Sequence, residues 1–253
     1  MPEDEKDSAT NFGSFVTNPW GNIPEKELCR SASDKIFEIS MTILSDISQD
    51  VIAACGFPTH IETMICAIGG ITGFASQRTL LSLIAANEIS GDGFNIVELK
   101  DGRHFLFGEP LNDILISGNY SVYCLGLWDS IKAMAAASHR GSSGLPRLDR
   151  QFDVVNERLG QTLGDFPDVE QPHRPVASIS LLMQTYWPRV RNALGAGPHP
   201  SGDIVQAVPE RYWASVMDTV AARIFQEAIK HLSVDIAASI LMQSAIYGSK
   251  VKM

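Results

Sequence analysis

A long apolar segment with three clustered glycines constrains this fold more than any other feature of the sequence. Residues 59–87 form a nearly continuous apolar run, which includes AIGGITGFASQRTLL at residues 67–81. Such a segment is open to three explanations: a phosphate-binding loop, a membrane-spanning helix, or a buried helix of a globular core. The residue types around Gly69, Gly70 and Gly73 decide among them.

A phosphate-binding loop is disfavoured because such loops join a strand to a glycine-rich turn, and here HIETMICAI runs into the glycines without turn residues. A membrane span has one feature in its favour, since Gly69 and Gly73 form a G-x-x-x-G pair that lets helices approach closely in lipid. The uncharged apolar run from Thr63 to Ser76 is 14 residues long, whereas a span needs about 20. We therefore predict a buried helix of a globular core.

This buried helix predicts a close helix crossing that is followed by two polar residues. Gly69, Gly73 and Ser76 share one face, and each mid-helix glycine costs about 1 kcal/mol relative to alanine, so close packing has to compensate. Gln77 lies one turn beyond Gly73, whereas Arg78 lies on a different face. A buried arginine needs a carboxylate or an anionic ligand. The sequence favours an internal ion pair for Arg78 and backbone partners for Gln77, and it leaves a ligand site open at both.

Hydrophobic periodicity predicts a mainly α fold, a bundle of seven or eight helices with one β-hairpin inserted after the second long helix. An amphipathic helix begins near Pro24, the buried helix follows it, and further helical patterns run to the end of the chain. We expect residues 1–22 to be a flexible leader and residues 23–253 to form a single helical domain. The sequence shows no internal repeat and no alternation of strands and helices.

The segment FNIVELKDGRHFLF at residues 94–107 carries the clearest β signal. Two apolar runs flank the dipeptide DG, which is favoured in the type I′ turn of a two-residue hairpin loop. In that register Ile96 and Phe107 share one face, and Val97 and Leu106 share the other. Both faces are then apolar, and only one can cover the parent core. We therefore predict a homo-oligomer that forms through the hairpin.

Aromatic residues beside the proline-rich loops are further candidates for a binding site. Tyr186 and Trp187 precede a proline, and Trp213 begins the following helix. They flank the loop GAGPHPSGD and could line a pocket or a partner groove, although large aromatic residues more often pack in the core. Together with Gln77 and Arg78, they are the predicted ligand-binding residues.

The charge, the cysteines and the histidines argue against several functional classes. The chain has 20 basic and 29 acidic residues and a net charge of −9 without a basic cluster, which disfavours nucleic acids and anionic membranes as partners. The four cysteines are widely spaced and the six histidines form no ligand motif, so we expect no metal, cofactor or disulfide framework. The acidic start, MPEDEKDSATNFGSF, differs from a signal peptide, and the expected location is the cytoplasm.

The runs KDGRHFLFGEPLNDIL and AIYGSKV resemble a pattern found in uncharacterised, mostly helical bacterial proteins. The resemblance covers about a tenth of the chain and implies no activity. The first interpretation of the sequence is a soluble binding protein that self-associates and takes a partner protein or a small apolar or anionic ligand. The alternative is a small-molecule enzyme, for example a hydrolase, with a site near Gln77 and Arg78 and no assignable catalytic residue.

Overall fold

The fold is described by a computed structural model of the chain. It covers six single positions between residues 41 and 53 and the ranges 60–99, 102–120, 125–138, 144–161, 163–196 and 208–252. Within these ranges lie seven α-helices and one two-stranded antiparallel hairpin. The prediction of a mainly α fold with a single hairpin is therefore confirmed. The predicted leader, residues 1–22, lies outside the described residues.

The elements follow one another along the chain as α1 (Ile61–Ala85), β1 (Asn95–Glu98), β2 (His104–Phe107), α2 (Glu109–Ser117), α3 (Leu127–Ala137), α4 (Leu148–Arg158), α5 (Ile179–Arg191), α6 (Trp213–Ala228) and α7 (Val234–Lys250). The side chains of Ser178 and Ser233 cap the N-termini of α5 and α7, where they accept backbone N–H groups. A proline inside a helix removes one backbone hydrogen bond, yet α5 continues through Pro188.

Helix α1 is the centre of the bundle and packs against α5, α6 and α7. It is apolar on every side, and Ile65, Ile68 and Ile71 are completely buried. A helix that is hydrophobic all round is expected in the interior of a protein. This placement confirms the predicted core helix. No helix in the described ranges has the length and apolar character needed to span a bilayer.

The glycines of α1 allow the predicted close crossing, and the helix they cross is α7. A Cβ atom on Gly73 would lie 1.9 Å from the carbonyl oxygen of Ala245, which no side chain could tolerate. A Cβ atom on Gly248 would likewise lie 2.0 Å from the carbonyl oxygen of Gly70. Backbone therefore packs directly against backbone, and Gly69 extends the same contact by one turn.

The hairpin forms where the sequence predicts it, but the predicted register was wrong. Ile96 lies opposite Leu106, and Val97 lies opposite Phe105. Residues that face each other across two strands share a face, so Ile96 and Phe107 lie on opposite faces of the ribbon. Apolar residues still occupy both faces, although in a different grouping.

The turn explains this shift of one residue. Leu99 donates its N–H to the carbonyl of Arg103 and accepts a hydrogen bond from the N–H of Gly102. These bonds close a three-residue connection in place of the predicted two-residue turn, and Gly102 takes a left-handed φ of 82°. Three-residue hairpin loops place a glycine in this conformation. The dipeptide DG suits both turn types, so it could not decide the register.

Candidate functional site

Gln77 lies where α1 meets the end of α7, and both of its amide hydrogens are engaged. The amide nitrogen donates to the carbonyl of Ser249 at 2.8 Å and to the carbonyl of Val251 at 3.0 Å. The last carbonyls of a helix have no partner within the helix and need other donors. The predicted backbone partners of this buried amide are confirmed. Gln77 links the C-terminal end of α7 to α1.

Arg78 forms the predicted ion pair, and its partner is Glu210 in the short 3₁₀ turn before α6. One guanidinium nitrogen lies 2.9 Å from each carboxylate oxygen. The two side chains are 39% and 35% exposed, so the pair is half-buried instead of internal as expected. Ion pairs near the surface contribute up to about 1 kcal/mol to stability.

The structure brings two of the three predicted aromatic residues into contact. The ring of Trp187 lies edge-on to Phe74, with centroids 4.8 Å apart, and to Trp213, with centroids 5.5 Å apart. The indole N–H of Trp213 donates to the carbonyl of Val208 at 2.8 Å, while Tyr186 is buried. Residues 197–203 of the loop that they were predicted to flank lie outside the described residues. A ligand-binding role stays a prediction for these aromatic residues and for Gln77 and Arg78.

Strand β1 is exposed along its whole length. All four residues are exposed, including the apolar side chains of Ile96 at 59% and Val97 at 41%. Because Leu99 bonds to β2 and the bonded positions alternate along an antiparallel strand, Ile96 and Glu98 turn their N–H and C=O groups away from β2. In the described parts of the chain no hydrogen bond reaches this outer edge.

The outer edge of β2 is covered, in contrast to that of β1. Phe105 forms an antiparallel bridge with Val251, and the N–H of Lys252 donates to the carbonyl of His104 at 3.4 Å. The ring of Phe105 is buried edge-on against Tyr247, with centroids 5.9 Å apart. The ribbon is thus attached to the core through β2, and β1 forms its open edge.

A cleft of about 450 Å³ lies between β2, α5 and the end of α7. The hydroxyl of Tyr247 projects to its wall and lies 2.8 Å from the hydroxyl of Ser180. Arg103 and Asp165 line the same cleft. Sequence reasoning missed this group, because its members come from distant parts of the chain. The one sequence signal is Tyr247, the only aromatic residue of α7.

The surroundings of Tyr247 keep its phenol protonated. Burial raises the pKa of Tyr247, and the nearby carboxylate of Asp165 raises it further. The hydrogen bond with Ser180 and the positive charge of Arg103 oppose these effects without reversing them. The phenol therefore acts at neutral pH as a hydrogen-bonding group that can both donate and accept.

Comparisons with protein-family models, with curated proteins and with solved structures found no match to the chain. The resemblance to uncharacterised helical bacterial proteins therefore stays a prediction. Across the described residues, no group of three or more His, Cys, Asp or Glu side chains is arranged to hold a metal ion. The open edge of β1 and the cleft beside Tyr247 are two candidate functional features among the described residues.

Proposed function

We propose that this chain is an interaction protein that self-associates through β1, by pairing this strand antiparallel with β1 of a second copy. The observation that carries the proposal is the open edge, where Ile96 and Glu98 direct backbone donors and acceptors outward beside exposed apolar side chains. A second strand would satisfy these groups, as strand addition does at other exposed sheet edges. It would also cover the side chains of Ile96 and Val97.

The composition of β1 supports this use of its edge. Sheet edges that must stay unpaired are commonly protected by lysine, by proline, by a bulge or by a covering element. The strand NIVE contains neither lysine nor proline, and it pairs with β2 in continuous register. Glu98 is its single charged residue.

The backbone directions limit how two copies can pair. Outward-facing residues must meet outward-facing residues, so a twofold axis can pass through Ile96, Val97 or Glu98. An axis at Glu98 would place two carboxylates directly opposite each other, which is destabilising. We propose an axis at Ile96 or Val97, either of which buries an apolar residue at the centre of a four-stranded sheet.

Sedimentation velocity tests this proposal. We expect the wild-type chain to be a dimer at micromolar concentration, and Ile96→Lys to be a monomer because it places a charge in the interface. The matched control is Leu181→Lys, which places the same charge on an apolar residue of α5 that is also more than half exposed. A monomeric wild-type chain, or equal loss of the dimer in both variants, would overturn the proposal.

A cytoplasmic location belongs to the same proposal, and the free buried thiol of Cys66 is consistent with a reducing compartment. The rival proposal, an enzyme with its site near Gln77 and Arg78, receives less support. Both amide hydrogens of Gln77 bind backbone carbonyls, and one guanidinium nitrogen of Arg78 pairs with Glu210. An interaction role requires no further group at these positions.

A further inference from the structure

A second cleft, of about 320 Å³, lies between α4 and α7, and we call it the α4–α7 cleft. On α7 it is lined by Asp235, Ser239 and Gln243, which follow one another at intervals of four residues and so share one face of the helix. The other wall consists of residues at and just before the start of α4, namely Pro146, Arg147, Arg150, Gln151 and Val154. Two largely polar faces therefore meet across this cleft.

The floor of the α4–α7 cleft consists of three uncharged polar side chains. Gln243, Gln151 and Ser239 are only 3%, 4% and 8% exposed. The amide nitrogen of Gln243 donates to the amide oxygen of Gln151 at 2.8 Å, and the amide oxygen of Gln243 accepts the backbone N–H of Asp168 at 2.6 Å. The amide nitrogen of Gln151 donates to the carbonyl of Arg147 at 3.3 Å. These bonds hold both amides in fixed orientations.

Each residue of the floor has hydrogen-bonding capacity that these bonds do not use. A primary amide has two N–H hydrogens and two lone pairs, so Gln151 and Gln243 each keep one donor and one acceptor. Within the described ranges the hydroxyl of Ser239 has no hydrogen-bond partner, although the hydroxyls of Ser76 and Ser117 bond to the carbonyl one helical turn earlier. The floor thus offers donors and acceptors side by side.

The charged residues of the α4–α7 cleft lie at its rim. Asp168, Arg150 and Asp235 are exposed, as is Arg147, and the two guanidinium groups balance the two carboxylates. A charged ligand group that reached the floor would lose its water without meeting an opposite charge there. An alcohol hydroxyl, by contrast, both donates and accepts and needs no counter-charge. The floor therefore selects neutral hydroxyl groups.

We infer that the α4–α7 cleft binds a small neutral polyol with a single ring, a monosaccharide or a cyclitol, whose hydroxyls bond to Gln151, Ser239 and Gln243. The C–H groups of the ring would contact the apolar parts of Pro146 and Val154. The volume of about 320 Å³ is at the lower end of the range of about 300–1,000 Å³ that small-molecule sites occupy. Such a size fits one ring better than an oligosaccharide.

This inference goes beyond the proposed self-association, and the two can fail independently. The cleft lies between α4 and α7, whereas the proposed dimer forms through β1. A chain that is monomeric can still bind a polyol, and a dimer can form without one.

Saturation-transfer-difference NMR on the full chain tests the inference with D-glucose, D-galactose, D-mannose and myo-inositol. We expect at least one of them to bind with a dissociation constant below about 10 mM. Cyclohexanol, a ring with one hydroxyl, should bind at least about tenfold more weakly than the best polyol, because it leaves most groups of the floor unpaired. Inorganic phosphate and glycine test an anion and a zwitterion at the same site, and both should also bind more weakly.

Two outcomes of this comparison would overturn the inference. One is that none of the four polyols binds. The other is that cyclohexanol, phosphate or glycine binds as tightly as the best polyol, since the neutral floor would then not select hydroxyl groups.

Ser239→Ala locates the binding site. The variant removes a hydroxyl of the floor without removing a hydrogen bond from the described fold, and it should weaken the best polyol about fivefold. The matched control is Ser117→Ala on α2, which also removes a serine hydroxyl from a helix but does not line the cleft, and its affinity should equal that of the wild type. Circular dichroism checks folding, and the comparison of probes on the wild-type chain decides if Ser239→Ala does not fold. A folded Ser239→Ala variant with wild-type affinity would contradict the assignment of the floor.

Discussion

The buried ammonium of Lys250 makes the stability of this protein depend on pH. Lys250 is the last residue of α7 and is 2% exposed. Its nitrogen lies 4.5 Å from the centroid of the Phe107 ring, and within the described ranges no carboxylate lies at ion-pair distance from it. Burial disfavours the charged form and lowers the pKa of Lys250 from 10.5 to about 8.

The size of the effect follows from this difference in pKa. Each pKa unit corresponds to about 1.4 kcal/mol, so the change from 10.5 to about 8 amounts to about 3 kcal/mol. By linkage, this is the free energy by which the buried ammonium lowers the stability of the fold below pH 8. Between pH 8 and pH 10.5 the unfolded chain binds the proton more tightly than the folded chain. The free energy of unfolding therefore rises with pH across this window.

Lys250→Met removes the ammonium and keeps a flexible apolar side chain of similar length. We expect the variant to be about 3 kcal/mol more stable than the wild type at pH 7, a gain of about 6–12 °C in Tm for a chain of this size. The gain should shrink towards zero as the pH approaches 10.5. Urea denaturation followed by circular dichroism measures it, with both proteins compared at each pH.

Lys252→Met is the matched control, because this nearby lysine is exposed and its charge is already solvated. It should change the free energy of unfolding by less than about 0.5 kcal/mol. If Lys250→Met is no more stable than the wild type at pH 7, or if its gain stays constant up to pH 10, burial of the ammonium does not destabilise the fold and the reasoning fails.

Three further predictions follow from the packing of α1. Gly73→Ala should lower the free energy of unfolding by about 3 kcal/mol or more, because the new methyl group would meet a backbone carbonyl. Gly70→Ala should cost about half as much, because its methyl group would meet side chains that can move. Chemical denaturation measures both variants, and equal losses would contradict this account of the crossing. Arg78→Met should cost less than about 1 kcal/mol, since its pair with Glu210 is half-exposed, and a loss above 2 kcal/mol would show a larger structural role. Burial raises the pKa of Cys66 to about 12, so this thiol should react with maleimide only as fast as the protein unfolds; labelling mapped by mass spectrometry checks this, and rapid labelling under native conditions would refute it.

Much of the helical architecture could be predicted because it depends on local patterns. The run at residues 59–87 is apolar on all sides and too short to span a bilayer, so burial in a core was the remaining solution. Gly69 and Gly73 predicted a close helix crossing, because close packing has to compensate for the stability that a mid-helix glycine costs. The backbone partners of Gln77 could be predicted in kind but not in identity.

The register of the hairpin shows where local patterns stop. The dipeptide DG fits a two-residue turn and a three-residue turn, and apolar residues occupy both faces of the ribbon in either register. In the register set by the three-residue turn, the ring of Phe105 lies under the ribbon and packs against Tyr247. A shift of one residue regroups the apolar side chains on the two faces, which no count of hydrophobic residues could reveal.

The candidate sites likewise depend partly on local sequence and partly on tertiary packing. By itself, the sequence determined which segments are helical, which helix is buried in the core, where the hairpin lies, and that Arg78 needs a carboxylate or an anionic ligand. Only the tertiary structure decided that β2 is covered by Val251 while β1 is open, and that Arg103, Ser180 and Tyr247 line one cleft. Helical periodicity and turn chemistry act over a few neighbouring residues, whereas a free edge or a shared cleft depends on which distant segments come together when the core packs.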